Sequence, residues 1–221
     1  MNLLASIPFL SNKSKIPQQV ISNSWSDREQ ILNKDVNLFC WERSLEPSIQ
    51  HFLSEIIDRN PEPIQLSIHQ TDLHHQIEKV RIKWDQYSKI KSISFWHDIS
   101  LVVGGFLDFS ENKSGTLHLM VVEDDACTKF HTDGYPLRLF TTYIGRGTEW
   151  LPEKAVNRAA LGTTNDKIIK ISDQIQHMNE GDVGILKGEL PHKRSSSKGI
   201  IHRSPKISHT EEKRIILRVD L

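Results

Sequence analysis

A chain of 221 residues, 37% hydrophobic and 25% charged, is long enough to bury one sizeable core and too apolar to remain disordered. Its 28 Lys+Arg balance its 28 Asp+Glu, so it lacks the basic excess that recruits nucleic acid or an anionic membrane. No apolar run approaches the ~18 residues of a membrane span. The short apolar start has no preceding basic residue, unlike a secretory signal, and the two cysteines, Cys40 and Cys127, do not make a disulfide framework. These features argue for a cytoplasmic protein.

Residues 1–35 are polar, rich in Ser, Asn, Lys and Gln, and read as a loosely packed arm ahead of one domain over 36–221. Residues 36–41 (V-N-L-F-C-W) read as a strand. Over 47–58, Ile49, Phe52, Leu53, Ile56 and Ile57 follow the spacing of an amphipathic helix. Pro47 suits its first turn, and Pro61 and Pro63 end it. A second helix is predicted over 72–87, with Leu73, Ile77, Val80 and Trp84 on one stripe. A third is predicted over 96–109, weakened by Gly104 and Gly105. Residues 36–112 are therefore expected to be mostly helical.

From residue 113 the texture becomes β-like. Strands are predicted over 116–122, 137–144, 168–175, 182–187, 199–202 and 214–219, separated by Gly, Asp, Asn, Ser and Pro. The polar run 193–198 reads as a surface loop, and His192 beside it as exposed. Several short strands with little helix between them point to an antiparallel barrel or jelly roll over 113–221. The fold class expected is α+β: a mostly helical N-terminal half packed on a C-terminal jelly-roll core.

Eleven histidines favour metal or acid–base chemistry, and two segments localise it. In F-H-T-D-G, residues 130–134, His131 and Asp133 are two apart and point to the same side of an extended chain. His-X-Asp alone is a weak motif, and Asp133-Gly134 also reads as a surface turn. In I-I-H-R-S-P, residues 200–205, His202 ends an apolar run. Two imidazoles and a carboxylate make a facial triad with open positions, suited to Fe(II) oxygen chemistry. Arg214, twelve residues after His202 on an alternating segment, suits a bidentate carboxylate partner; Arg218 reads as part of a solvated face.

His131, Asp133, His202 and Arg214 in this order resemble the Fe(II)/2-oxoglutarate-dependent oxygenases, and most of all their prolyl-hydroxylase-like branch. There His-X-Asp is followed by Arg, Thr and Tyr on the next strand, as in Arg138, Thr142 and Tyr143, then by a Gly-rich turn (G-R-G-T-E-W) and a Gly-Asp turn into a strand (G-D-V-G-I-L-K-G). The resemblance covers about residues 116–221. It implies a double-stranded β-helix, a jelly-roll form, with Fe(II) on His131, Asp133 and His202. It further implies a 2-oxoglutarate cosubstrate bound by Arg214 with help from Tyr143 and Arg138; in such an enzyme Arg138 or Arg203 would position an anionic substrate. Residues 151–167 and Arg203 depart from that pattern. The strings D-D-A-C-T-K-F-H-T-D, R-L-F-T-T-Y-I-G-R-G-T-E-W-L and G-D-V-G-I-L-K-G, with the late H-R-S-P, are also similar to the bacterial domain-of-unknown-function family 1826 over about residues 36–221. That likeness implies a link to zinc-responsive gene neighbourhoods, hence a metal of open identity.

Two other readings remain open in the sequence. Cys127, four residues before His131, would complete a closed Zn(II) site of metal homeostasis without redox turnover; the competing reading is a small buried residue. Glu149 would serve as the base of a metal hydrolase or isomerase, or is a salt-bridged loop carboxylate. The other histidines, His51, His69, His74, His75, His97, His118, His177 and His209, lack a partner at metal-site spacing and read as structural. No motif marks the substrate.

Overall fold

A computed structural model of the chain describes residues 16–190 and 198–221. His192 and all of the predicted polar loop except Lys198 lie outside the described residues. In chain order come β1 (Gln18–Ser22), β2 (Val36–Trp41), α1 (Pro47–Ile56), β3 (Ile64–His69), α2 (Leu73–Asp85), α3 (Ile93–Leu107), β4 (Ser114–Val122), β5 (Leu137–Ile144), β6 (Glu149–Leu151), β7 (Gln176–His177), β8 (Val183–Lys187), β9 (Ile201–Arg203) and β10 (Arg214–Asp220).

The strands form two sheets, ordered β1-β2-β8-β5-β10-β4-β3 and β7-β6-β9. His131 extends the smaller sheet through a bridge to His202. The sheet is not confined to the C-terminal half as expected, because β1, β2 and β3 all precede residue 70. The arm predicted over 1–35 supplies β1, parallel to β2, and Trp25, which lies against Phe39 and Trp41. β3 escaped the sequence reading although Ile64 and Ile68 are buried; it is a sheet edge, paired only to β4. The expected strand over 168–175 is absent. That segment forms a short helical turn and a 3₁₀ turn, and Ile168 is buried as a plug beneath the small sheet.

Strand alternation sets the two faces of the large sheet. Leu139, Tyr143, Val183, Ile185, Ile215, Leu217 and Val219 face the helices and join α1 (Phe52, Leu53), α2 (Val80, Trp84) and α3 (Phe95, Val102, Phe106) in the main core. Pro47 opens α1, and Ser92 caps α3 by accepting from the Phe95 N–H at 3.2 Å. Gly105 allows α3 to approach Trp25, whose Nε1 would lie 2.8 Å from an added Cβ. On the opposite face, Leu38, Cys40 and Leu186 meet Trp150, Met178 and Ile200. Residues 152–175, which include most of the 151–167 stretch that departs from the expected pattern, cover the outside of the small sheet. Ala155, Val156, Ala160 and Ile168 pack there against Phe130, Leu151 and Ile201. Among the described residues no helix is long and apolar enough to cross a membrane.

Candidate metal centre

His131 and His202 are held side by side by backbone. Each donates its N–H to the other's carbonyl at 3.0 Å, and their rings lie 4.6 Å apart. The run around His202 is apolar because it crosses between two packed layers: Ile200 lies between the sheets and Ile201 beneath the small sheet. His202 itself faces Phe140 across the gap, with ring centroids 6.0 Å apart. Two residues beyond His131 the chain turns towards β5, and Asp133 comes between the imidazoles. Its Oδ1 lies 3.6 Å from His131 Nε2, and its Oδ2 lies 3.4 Å from His202 Nε2.

The protonation chemistry fits a cation. His131 Nδ1 lies 2.8 Å from the Lys129 carbonyl and His202 Nδ1 lies 3.4 Å from the Ile200 carbonyl. A carbonyl only accepts, so with a cation bound each Nδ1 can keep its proton on its carbonyl while each Nε2, which otherwise faces the Asp133 carboxylate, offers its lone pair to the metal. Burial pushes His202 down to about 4, so it is neutral near pH 7. Burial alone would raise Asp133, but His131, His202 and Arg138 together outweigh it and keep the carboxyl below its usual range. The Asp133 carboxylate, with burial opposing it, raises His131. Asp133 Oδ2 is buried and has no hydrogen-bond partner, a costly state that a bound cation relieves. One ligand atom from each of the three residues lies within 4.8 Å of the others. The donor set, two imidazoles and a carboxylate, fits a first-row divalent metal such as Fe(II).

Cys127 does not join this set. Its exposed thiol lies 3.5 Å from His131 Nδ1, on the side of the ring away from the lone-pair nitrogen. The expectation that it is a buried small residue also fails. Glu149 is bound to Arg203 at 2.6 Å, and Arg203 lies over the Phe130 ring. Both face the outside of the small sheet, because Arg203 is one residue from His202 and alternation sends it the other way.

The remaining predicted site residues divide between two faces. Arg138 and Arg214 lie on the side of the large sheet that faces the small one. Arg138 binds Asp133 and, from its Nε, Asp220 at the end of β10. It thus lies against a candidate metal ligand, with both acidic partners already in place. Arg214 is buried; its Nε donates to the Arg146 carbonyl at 2.6 Å and its Nη2 to Thr142 Oγ1 at 3.2 Å. Among the described residues no carboxylate lies within ion-pair distance of it, and burial pushes it down to about 10. Arg218, on the same face, is half-buried and has Asp220 Oδ2 3.3 Å from its Nε. Tyr143 belongs to the other side. Its ring is fully buried against Phe95, and its hydroxyl donates to Asp98 at 2.6 Å. Arg43, from the turn after β2, binds the same carboxylate. Tyr143 is therefore a core residue of the helix–sheet interface and is remote from Arg214's side of the sheet. The sequence reading passed over Asp220 and took His118 as structural, although the Nε2 of His118 lies 3.5 Å from Asp220 Oδ2; even spacing from Arg214 along β10 was the available signal for Asp220.

By sequence, the family described as "Protein of unknown function (DUF1826)" matches residues 22–220. No curated protein matches the chain. Among solved structures, the dioxygenase for auxin oxidation 1 from Arabidopsis thaliana, in a 2-oxoglutarate binary complex, is similar at a TM-score of 0.51 and 11% identity. That alignment covers 94% of this chain and 92% of that one. The corresponding rice enzyme gives 0.49 and 10%, over 94% and 83% of the two chains. The Arabidopsis likeness shows a shared jelly-roll fold.

Proposed function

The chain belongs to the DUF1826 family of proteins of unknown function, and we propose that it is a non-haem Fe(II)/2-oxoglutarate-dependent oxygenase. The observation that carries this reading is the open three-residue centre: two Nε2 lone pairs and the unpartnered Asp133 Oδ2 converge, and no fourth ligand accompanies them among the described residues. A three-ligand site leaves positions for a chelating cosubstrate and O2. A closed zinc site requires a fourth protein ligand, and Cys127 is turned to the wrong nitrogen.

In this reading His131, Asp133 and His202 hold Fe(II). Bound there, Fe(II) supplies the reduction of O2 that accompanies oxidative decarboxylation of 2-oxoglutarate. Arg214 holds the cosubstrate's far carboxylate, with Thr142 fixing the guanidinium from the adjacent strand. The support is its burial without an acidic partner, since a buried cation of this kind gains most from an incoming carboxylate. Arg218 is less suited because Asp220 is beside it. The fold shared with an Arabidopsis dioxygenase whose structure holds 2-oxoglutarate is consistent with this assignment.

The test is anaerobic addition of Fe(II) and then 2-oxoglutarate to metal-free protein, reading the weak visible charge-transfer band of the chelate. The expected result is a saturable band in the wild type and its loss in Arg214→Ala at unchanged Fe(II) affinity. Metal binding with no band on adding 2-oxoglutarate would overturn the cosubstrate assignment.

A further inference from the structure

Asp133 is one end of a chain of alternating charges that crosses three strands. Its Oδ1 accepts from Arg138 Nη1, and Arg138 Nε donates to Asp220 Oδ1. Asp220 Oδ2 faces His118 Nε2 at 3.5 Å and Arg218 Nε at 3.3 Å. The register explains the alignment: Asp220 pairs with Arg138 across β10 and β5, and Arg218 pairs with His118 across β10 and β4. Arg138, Asp133 and Asp220 are all buried, and the Arg138 guanidinium lies over the Tyr135 and Phe140 rings, at 4.5 and 5.6 Å. Packing and two carboxylates thus leave the guanidinium one orientation.

The two oxygens of Asp133 are consequently unequal. Oδ1 is occupied by Arg138, whereas Oδ2 is buried with no hydrogen-bond partner. A carboxylate free to rotate can offer both oxygens to one cation; a carboxylate pinned at Oδ1 offers one. We propose that Arg138 is a positioning residue that fixes Asp133 as a one-oxygen metal ligand, and that Asp220 holds Arg138 in that role. The bond to Asp133 thereby preserves the open coordination positions of the centre. This assigns Arg138 to the metal ligand instead of to the cosubstrate, and it rests on the metal-site reading above.

The experiment is titration of metal-free full-length protein with Co(II), read by calorimetry and by the visible d–d spectrum, which reports coordination number. The variants are Arg138→Lys, Arg138→Gln and Asp220→Asn, each with its metal-free melting temperature. Loss of an outer partner of this kind lowers metal affinity about 10–100-fold. The expected result is a loss in that range for Arg138→Gln, with a spectrum moved towards higher coordination as Asp133 offers both oxygens. Arg138→Lys, which keeps the charge but not the planar fork, should recover part of the affinity without the wild-type spectrum. Asp220→Asn should move the spectrum in the same direction as Arg138→Gln. Should Arg138→Gln fail to fold, Asp220→Asn decides, because it removes the charge that holds Arg138 while keeping the side chain's size. Wild-type affinity and spectrum in both Arg138→Lys and Asp220→Asn would overturn the positioning role while leaving the metal site intact. Absence of Co(II) binding to wild-type protein would overturn the metal site itself.

Discussion

Cys127 and Asp133 lie near the same imidazole but meet different nitrogens of it, and that difference separates an open centre from a closed one. Cys127→Ser should leave Fe(II) and Zn(II) affinity within about twofold of wild type, because the thiol faces Nδ1; a large loss measured by competitive chelation would restore the four-ligand reading. Tyr143→Phe should lower stability by about 1 kcal/mol through the lost Asp98 hydrogen bond, with 2-oxoglutarate affinity unchanged. Denaturant unfolding and the chelate band measure the two effects separately. At this scale the sequence was most legible where spacing carried the chemistry. His131 and Asp133 share a side by their i, i+2 offset, and His202 was drawn in by the residues that follow it. Parity also held the corrections. Arg138 and Thr142 are four apart on β5 and share a face, whereas Tyr143 is an odd step from Arg138 and faces the helices. Likewise Arg203 adjoins His202 and points away from it. The partnership of Asp220 with Arg138 was not readable, since it depends on the register between β10 and β5.

Elements rather than single side chains set how closely the ligand segment is held. Gly188, just after β8, runs directly beneath it. A Cβ there would lie 2.3 Å from both the Asp133 and the Tyr135 carbonyl oxygens, and Glu189 donates its N–H to the first of these at 2.7 Å. Gly188→Ala should therefore displace the Asp133 backbone, costing roughly 1–3 kcal/mol of stability and weakening metal binding. Calorimetric titration showing wild-type affinity in this variant would refute the coupling. Apolar period made α1, α2, β4, β5, β8 and β10 readable to within a few residues. Edge elements were harder. β1 and β3 each pair on one side only; β1 carries only Val20 and Ile21 as apolar residues, and the alternating Ile64, Leu66 and Ile68 of β3 form a short run between two helices. The failed strand over 168–175 shows the converse: its isoleucines suited β-structure, but Ile168 is satisfied by packing under the small sheet without a ladder of its own.

At the scale of the molecule, the large sheet carries its helices on one face and the small sheet on the other, and the candidate centre lies on the second side. His131 and His202 belong to the small-sheet layer, while Arg138, Asp220 and Arg214 belong to the large sheet. A metal on His131, Asp133 and His202 therefore joins segments far apart in sequence and binds only the folded state. At a free metal concentration of about 100 times Kd it should add about 2.7 kcal/mol, raising the melting temperature by roughly 5–10 °C for a chain of this size. Chelator should reverse the shift, and His202→Ala should abolish it. A melting temperature indifferent to both metal and chelator would argue that the three residues form a charge network alone.

The most direct measurement is X-ray absorption at the iron edge of the anaerobic Fe(II)-loaded protein. The expected spectrum has a nitrogen/oxygen shell at about 2.0–2.2 Å with the outer-shell signature of two imidazoles, no sulfur, and a change in the shell when 2-oxoglutarate is added. A sulfur scatterer at about 2.3 Å, or a shell that 2-oxoglutarate leaves unaltered, would contradict an open centre built from His131, Asp133 and His202.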